Sequence, residues 1–593
     1  MIPYYYSEIN SHTSIHSMKK TLLFLSFISI VIAFGIFFPL SAQLSHALPN
    51  AIDPLFYAWN LSHNADTAFK GFDALLNTNI FYPLTNTIAY SDTLWGQSII
   101  TNPVIWITHN PILAENIAIF LSFPLSAISM FLLSMYVTRN TSASFAAGVF
   151  YAFSFPRLSQ IGHLPMISSQ WLPIYILYLF KFLDDGNRKN FIAVCLWYLL
   201  SITSSIYFGV FLLPITVIIL SADLFRRVRT QTLHTYKAKI LTAMPVMVAF
   251  LVVLGFTLFP YIRLKAENPE IKRSIDDMTH LRANPVDYLS VLPTSLNTFK
   301  LLPTNTNEHV LFPTFTLAIL SVICLLTGKK GNRYFIWVFT GIALSSFVLS
   351  LGNEQSFSIG RFSTGTIKMP YYYLYSWFPV FQIVRVPARF GIFVILSLSA
   401  LAAAGLDGLM KLKTPKWVVG LILCFFIIEI WQTKIPYVTI PEGNSTPQVY
   451  QWIQKQPEPM VIAEVPISLF YHGNSMEDQL YRTYDTLRHQ DTYASETYRI
   501  YFSTFHKKRM INGYSGFLPD GYNKLSEILE NFPSEYSIQS LRDIGVTHAV
   551  VHLWQYDNKR RSDITKALSD SPLLSLSYDK DDDRVYAISN NKL

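Results

Sequence analysis

Eleven apolar runs, separated by short polar or proline-bearing segments, fill residues 21–433 of this 593-residue chain. They lie at 21–40, 112–137, 141–155, 171–183, 191–203, 206–222, 241–260, 311–326, 334–351, 389–406 and 417–433. A helix needs about 20 mostly apolar residues to cross a bilayer, and in lipid only closed hydrogen-bonding patterns survive. The expected fold class is therefore mainly α, a polytopic transmembrane helix bundle of about 11 spans. Several runs are short, so the 141–222 region also admits broken or re-entrant helices. The first run follows Lys19 and Lys20 and is longer than the roughly 7–15 residues of a signal-peptide core, so it reads as an uncleaved span.

Charge divides the chain. Of the first 434 residues 48 are charged, against 36 of the last 159. The first part has a membrane composition and the second an ordinary soluble one. The expected domains are a transmembrane unit over 1–434, with a long first outer loop at 41–111, and a soluble extracytoplasmic α/β unit over 435–593. In the second, 460–466, 546–552 and 584–588 read as strands, and 537–544 reads as a helix ending at Gly545.

Basic residues fix the orientation. With the N-terminus inside, the cytoplasmic segments collect Lys19 and Lys20; Arg139; Lys181, Arg188 and Lys189; and Arg226, Arg227, Arg229, Lys237 and Lys239. Lys329, Lys330 and Arg333, then Lys411, Lys413 and Lys416, complete the set. The outward segments are 41–111, 156–170, 261–310, 352–388 and everything after 434. The pI near 9.0 thus records membrane orientation, and no nucleic-acid partner is expected. The expected location is the cell (plasma or inner) membrane. Cys195, Cys324 and Cys424 all fall within apolar runs and read as structural thiols.

The outward segments hold the chemistry. Asp53 opens Asp53-Pro54-Leu55-Phe56-Tyr57-Ala58-Trp59 just beyond the first span. A carboxylate among aromatics at a membrane surface suits a general base or a ligand for a hard divalent cation. It equally suits an N-cap before Pro54. Asp66, Asp73, Asp92 and Glu115 are the acids able to meet it, and Glu115 sits near the outer end of the second run, where an ionisable group is costly. Arg157 and His163 in the 156–170 segment suit anion binding or proton relay. Arg385 and Arg389 flank Pro387 at the outer interface, a depth that suits a lipid phosphate or snorkelling to headgroups. In the C-terminal unit, Asn512-Gly513-Tyr514-Ser515-Gly516 reads as a sugar-binding loop or as a turn packing on the membrane unit. No nucleotide-binding or zinc-hydrolase motif is present, and the spans lack a chain of buried acids.

These strings, together with Asn110-Pro111, Asn116 and Trp171-Leu172-Pro173, resemble those of bacterial membrane proteins of the GT-C superfamily of polytopic glycosyltransferases. The similarity extends loosely to YfhO-like membrane proteins. The resemblance implies a glycosyltransferase that moves a sugar from a polyprenyl-phosphate donor to a glycan, lipid or protein acceptor on the outer face. It implies Asp53 as base or ligand of Mg or Mn, with Asp92 and His163 beside it. Arg157, Arg385, Arg389, Glu115 and Tyr514 would then hold substrate. Where many members pair two acids, Pro54 follows Asp53, so another acid has to complete a metal site. A carrier, flippase or assembly partner without turnover is the competing expectation.

Overall fold

The computed structural model describes residues 12–269, 271–296, 301–304, 306–327, 333–359, 362–412, 414–415, 417–433, 435–467 and 496–589. Lys329, Lys330, Lys413 and Lys416 of the basic loops lie outside them. Each of the eleven apolar runs forms a helix, and seven helices are long and apolar enough to cross a membrane. These are Ser17–Ile36, Pro111–Thr138, Leu164–Asp185, Ile206–Arg229, Thr235–Glu267, Arg333–Ser350 and Pro387–Lys411. The chain is a multi-pass membrane protein.

The count of eleven full spans is corrected by length. Thr141–Ala152 has 12 residues, about 18 Å at 1.5 Å per residue, well short of the bilayer core. It is packed between Pro111–Thr138 and Gly391–Lys411 instead. Phe315–Thr327 and Trp417–Ile430 are also short. Glu429, an acid inside an apolar run, has a local reason to be there. Its oxygens accept from the backbone N–H of Phe315 at 2.7 Å and of Thr316 at 3.2 Å, which caps the start of the neighbouring helix.

Small residues set the closest helix contacts. A Cβ added at Gly148 would lie 2.6 Å from the Ala127 carbonyl oxygen, and one at Gly405 would run into the Leu320 carbonyl. Such approaches let backbones pack where lipid supplies no hydrophobic drive.

The C-terminal unit has a five-stranded mixed sheet. Its strands are β1 (Val461–Val465), β2 (Arg509–Met510), β3 (His548–His552), β4 (Leu574–Lys580) and β5 (Asp583–Ile588), in the order β4-β5-β3-β1-β2. β1 runs parallel to β2 and β3, while β5 is antiparallel to β3 and β4. The three expected strands are β1, β3 and β5, and the expected helix is Glu535–Asp543.

This sheet is joined to the 41–111 segment by backbone hydrogen bonds. Tyr82 N donates to Met510 O at 2.9 Å and Met510 N to Asn79 O at 2.8 Å, so residues 79–82 extend the β2 edge. Ala47–Leu48 pairs antiparallel with Val438–Thr439. Asn116 Nδ2 donates to Leu44 O and Ala47 O, both at 2.8 Å, and Asn110 Nδ2 to Ser45 O at 2.8 Å. The stretch after 434 is therefore tied down, and the first loop and the C-terminal unit share one side.

Replacing Gly405 by Val forces a branched side chain onto the Leu320 backbone, an overpacking that costs about 1–3 kcal/mol. Thermal unfolding in detergent is expected to show a midpoint several degrees lower. Gly420→Ala, whose added carbon meets nothing within 4 Å, is expected to leave it unchanged.

Candidate functional site

Asp53 lies in the first turn of the Asp53–Thr67 helix with Pro54 beside it, and its side chain does not cap that helix. The carboxylate is spent on tertiary contacts. Oδ1 accepts from the Tyr514 hydroxyl at 2.7 Å, and Oδ2 lies 3.0 Å from His163 Nε2. About 31% of the side chain stays exposed, so the group is screened by protein yet reachable. Burial alone would raise its pKa. His163, Tyr514 and Arg389 outweigh that and hold the carboxyl below its ordinary value.

The contacts continue. His163 Nδ1 lies 2.6 Å from Gln160 Oε1, and Gln160 Nε2 donates to Glu308 Oε2 at 3.2 Å. Because Glu308 can only accept, it fixes the amide with its oxygen toward His163. Both ring nitrogens then face acceptor oxygens. Glu308 receives Arg389 in a forked ion pair, with Nε at 3.1 and 3.0 Å from its two oxygens and Nη2 at 2.5 Å from Oε1. Burial pushes Glu308 up, and Arg389 with His163 and His309 more than reverses it, so Glu308 stays ionised. The Arg389 guanidinium sits 5.1 Å from the centre of the Tyr207 ring, and Tyr207's hydroxyl accepts from Arg385 N at 2.9 Å.

Five separated segments thus supply one polar line: Tyr514, Asp53, His163, Gln160, Glu308 and Arg389. Local sequence explains how each is presented. Gly513 allows Phe81 to approach, since a Cβ there would lie 2.5 Å from the ring, and this seats Tyr514 above the Asp53 helix. Asn512 anchors the same turn to β1, accepting from Glu464 N at 2.8 Å and donating to Glu464 O at 3.0 Å. Pro387 opens the short helical turn Pro387–Phe390 that carries Arg389. A small cavity of about 30 Å³ adjoins Glu308, Arg389 and Gln160.

Three expectations are corrected. Arg157 does not face an outer anion. It is 1% exposed, and Nε donates to Ser169 Oγ at 2.9 Å while Nη2 donates to Ser122 Oγ at 3.1 Å and Ile167 O at 2.8 Å. A guanidinium between helices must satisfy its donors internally, and the chain folds back to supply carbonyls and hydroxyls. Asp92 does not pair with Asp53. Its oxygens accept from Ile206 N at 2.8 Å and Ser205 Oγ at 3.2 Å, capping the Ile206–Arg229 helix. Glu115 is fully buried in the Pro111–Thr138 helix, beyond contact with a substrate, and neither carboxyl oxygen has a hydrogen-bond partner.

Metal-ligand chemistry is poorly matched here. Both Asp53 oxygens are engaged, and among the described residues no group of three His, Cys, Asp or Glu can hold a metal ion. The donor set therefore does not fit the divalent cation that the resemblance implied.

Glu308 and Tyr207 were not singled out from sequence. Glu308 is one of six acids in the 261–310 segment, and no local pattern marks it.

No family model matches the chain, and no curated protein matches it in sequence. Solved structures match in fold. Arabinofuranosyltransferase AftD from mycobacteria aligns at TM-score 0.55 and 12% identity, covering 97% of this chain and 40% of that one. The oligosaccharyltransferase AglB of Archaeoglobus fulgidus, in complex with an inhibitory peptide and a dolichol-phosphate, gives 0.47 and 11%, covering 97% and 75%. ArnT from Cupriavidus metallidurans gives 0.36 and 9%, covering 96% and 98%. The AftD alignment carries the fold assignment: the chain shares the polytopic membrane fold of that arabinofuranosyltransferase. The chain spans about 40% of the AftD chain's length.

The Asp53–His163 contact has a stability signature. Asp53 sits below its unfolded value, so its contribution is complete above the ordinary carboxylate pKa of about 3.9 and is lost as pH falls through the lowered value. A double-mutant cycle over Asp53→Asn and His163→Gln is expected to give a coupling of about 0.5–3 kcal/mol at pH 7. Unfolding measured below pH 4 is expected to show that coupling shrinking.

Proposed function

We propose that this protein is a membrane glycosyltransferase that moves a sugar from a polyprenyl-phosphate donor to an acceptor, at the face that carries the first outer loop and the C-terminal unit. The reading rests on one observation: a reachable, ionised Asp53 on the first-loop helix, joined through His163, Gln160 and Glu308 to Arg389 at the head of a spanning helix. Lys19 and Lys20 lie at the opposite end of the first span from that loop, and the positive-inside rule then makes this face the outer one.

In this reading Asp53 accepts the proton of the acceptor hydroxyl as that oxygen attacks the anomeric carbon of the donor sugar. The bond from that carbon to the phosphate oxygen breaks, its electron pair stays on the phosphate, and the configuration inverts. Tyr514 and His163 orient Asp53 through opposite oxygens. Arg389 binds the departing phosphate with the Nη1 donors that its fork to Glu308 leaves over, and Arg385 lies four residues before it, ahead of the Pro387–Phe390 turn. Glu308 already occupies Arg389, so incoming phosphate competes with it for the guanidinium. Any divalent cation would have to bring ligands from the substrate.

Carriage of lipid-linked sugar without turnover is the second reading. The observation on its side is that Asp53 is held acidic and Arg389 is already paired, both of which favour a stable resting network over proton transfer.

Purified protein supplied with labelled polyprenyl-phosphate sugars and a panel of acceptors separates the two. Transfer is expected, with Asp53→Asn reducing it about 10²–10⁴-fold while donor binding persists. Full transfer by Asp53→Asn removes the proposed role, and binding with no transfer to any acceptor favours the carrier. Arg389→Gln is expected to weaken donor binding as well as turnover, because it removes the phosphate's counterion and leaves Glu308 unpaired.

A further inference from the structure

A second cavity lies on the same helix as Asp53. It encloses about 430 Å³ between the end of the Asp53–Thr67 helix, the 70–79 segment, the end of the Glu496–His506 helix and Arg509. Ser62, on its wall, is about 14 Å from Asp53 along the helix axis at 1.5 Å per residue. The volume falls in the range of small-ligand sites, roughly 300–1,000 Å³.

Hydroxyl and amide side chains are the commonest groups in its lining, and cations outnumber acids. Lys70, Lys507 and Arg509 line the cavity against Asp66, the one acid among the described lining residues. Asp66 is already paired with Lys507, which also donates to Ser62 Oγ at 3.3 Å. Lys70 and Arg509 are thus in excess, and both are exposed.

Lys507 is itself informative. It ends the Glu496–His506 helix with φ of 57°, a left-handed position where glycine costs least. What a lysine gains there is an ammonium on the cavity wall. Close by, His63 Nε2–H donates to Leu75 O at 3.2 Å, which leaves Nδ1 as an acceptor.

We infer that this cavity binds an acidic saccharide unit, a uronate or a phosphosugar, with the anion on Lys70 and Arg509 and ring hydroxyls on Asn77, Thr504 and His63. Its position makes it a subsite for a unit of the acceptor glycan remote from the reacting hydroxyl. The inference rests on the acceptor half of the function proposed above, but its test reads binding alone.

The full chain in nanodiscs is titrated with a glucuronate-terminated oligosaccharide, its neutral glucose counterpart, glucose phosphate and inorganic phosphate. Saturable binding is expected for the acidic sugars, at least tenfold tighter than for the neutral one and weakened by salt. Lys70→Gln and Arg509→Gln, both surface changes, are each expected to lose that preference by about tenfold. Asp53→Asn is expected to retain it, and retention beside lost transfer distinguishes this subsite from the reacting centre. Equal binding of acidic and neutral sugars overturns the inference, as does inorganic phosphate binding as tightly as the sugars. Variants that bind like the parent also overturn it, whatever the outcome of the transfer assay.

Discussion

Asp53, His163, Glu308 and Arg389 hold one another through close polar contacts and the Glu308–Arg389 ion pair, and each comes from a different stretch of the chain. A charge withdrawn from water is tolerated only when it is paired and hydrogen-bonded, and removing one member of a buried pair costs about 3–5 kcal/mol. The chain of contacts along this line therefore does more than join two neighbours. It fixes the first-loop helix, the turn before Leu164–Asp185, the residues around Glu308 and the head of the Pro387–Lys411 span in one register. Tyr514 extends the same constraint to the C-terminal unit, which the β2 edge already ties to residues 79–82.

The bundle beneath it is held differently. Backbone approaches at Gly148 and Gly405 bring helices together in a medium where apolar side chains gain little by leaving lipid. Polar groups within it are spent locally: Glu429 and Asp92 cap helix starts, and Arg157 fills its donors with carbonyls and hydroxyls. That leaves the polar line from Tyr514 to Arg389 as a place where ionised groups remain within reach of a ligand.

Much of this was legible in the sequence, because long apolar runs and basic loops obey strong constraints. Every run became a helix, and the three expected strands formed. Asp53, His163, Arg389 and Tyr514 each stood out from a separate string. What the sequence withheld was their company. Asp53 and Tyr514 are 461 positions apart, and no local pattern encodes such a contact. Glu308 looked like one solvated acid among several. Arg157 and Arg389 both sit within two residues of a proline at the end of an apolar run, yet Arg389 meets a carboxylate and Arg157 meets carbonyl and hydroxyl oxygens. That difference depends on which segment packs above each, a matter of tertiary structure. Asp92 resembled a partner for Asp53 until the open N–H groups at Ile206 claimed it.

The central claim is that donor phosphate and reacting sugar lie along the line from Arg389 to Asp53. A cryo-EM structure of the protein with a non-hydrolysable polyprenyl-phosphonate sugar tests it most directly. The account predicts the phosphonate against the Arg389 guanidinium, the Glu308 fork partly opened, and the anomeric carbon facing Asp53. A phosphonate bound elsewhere, with the Glu308–Arg389 pair and the Asp53–His163 contact undisturbed, would contradict it.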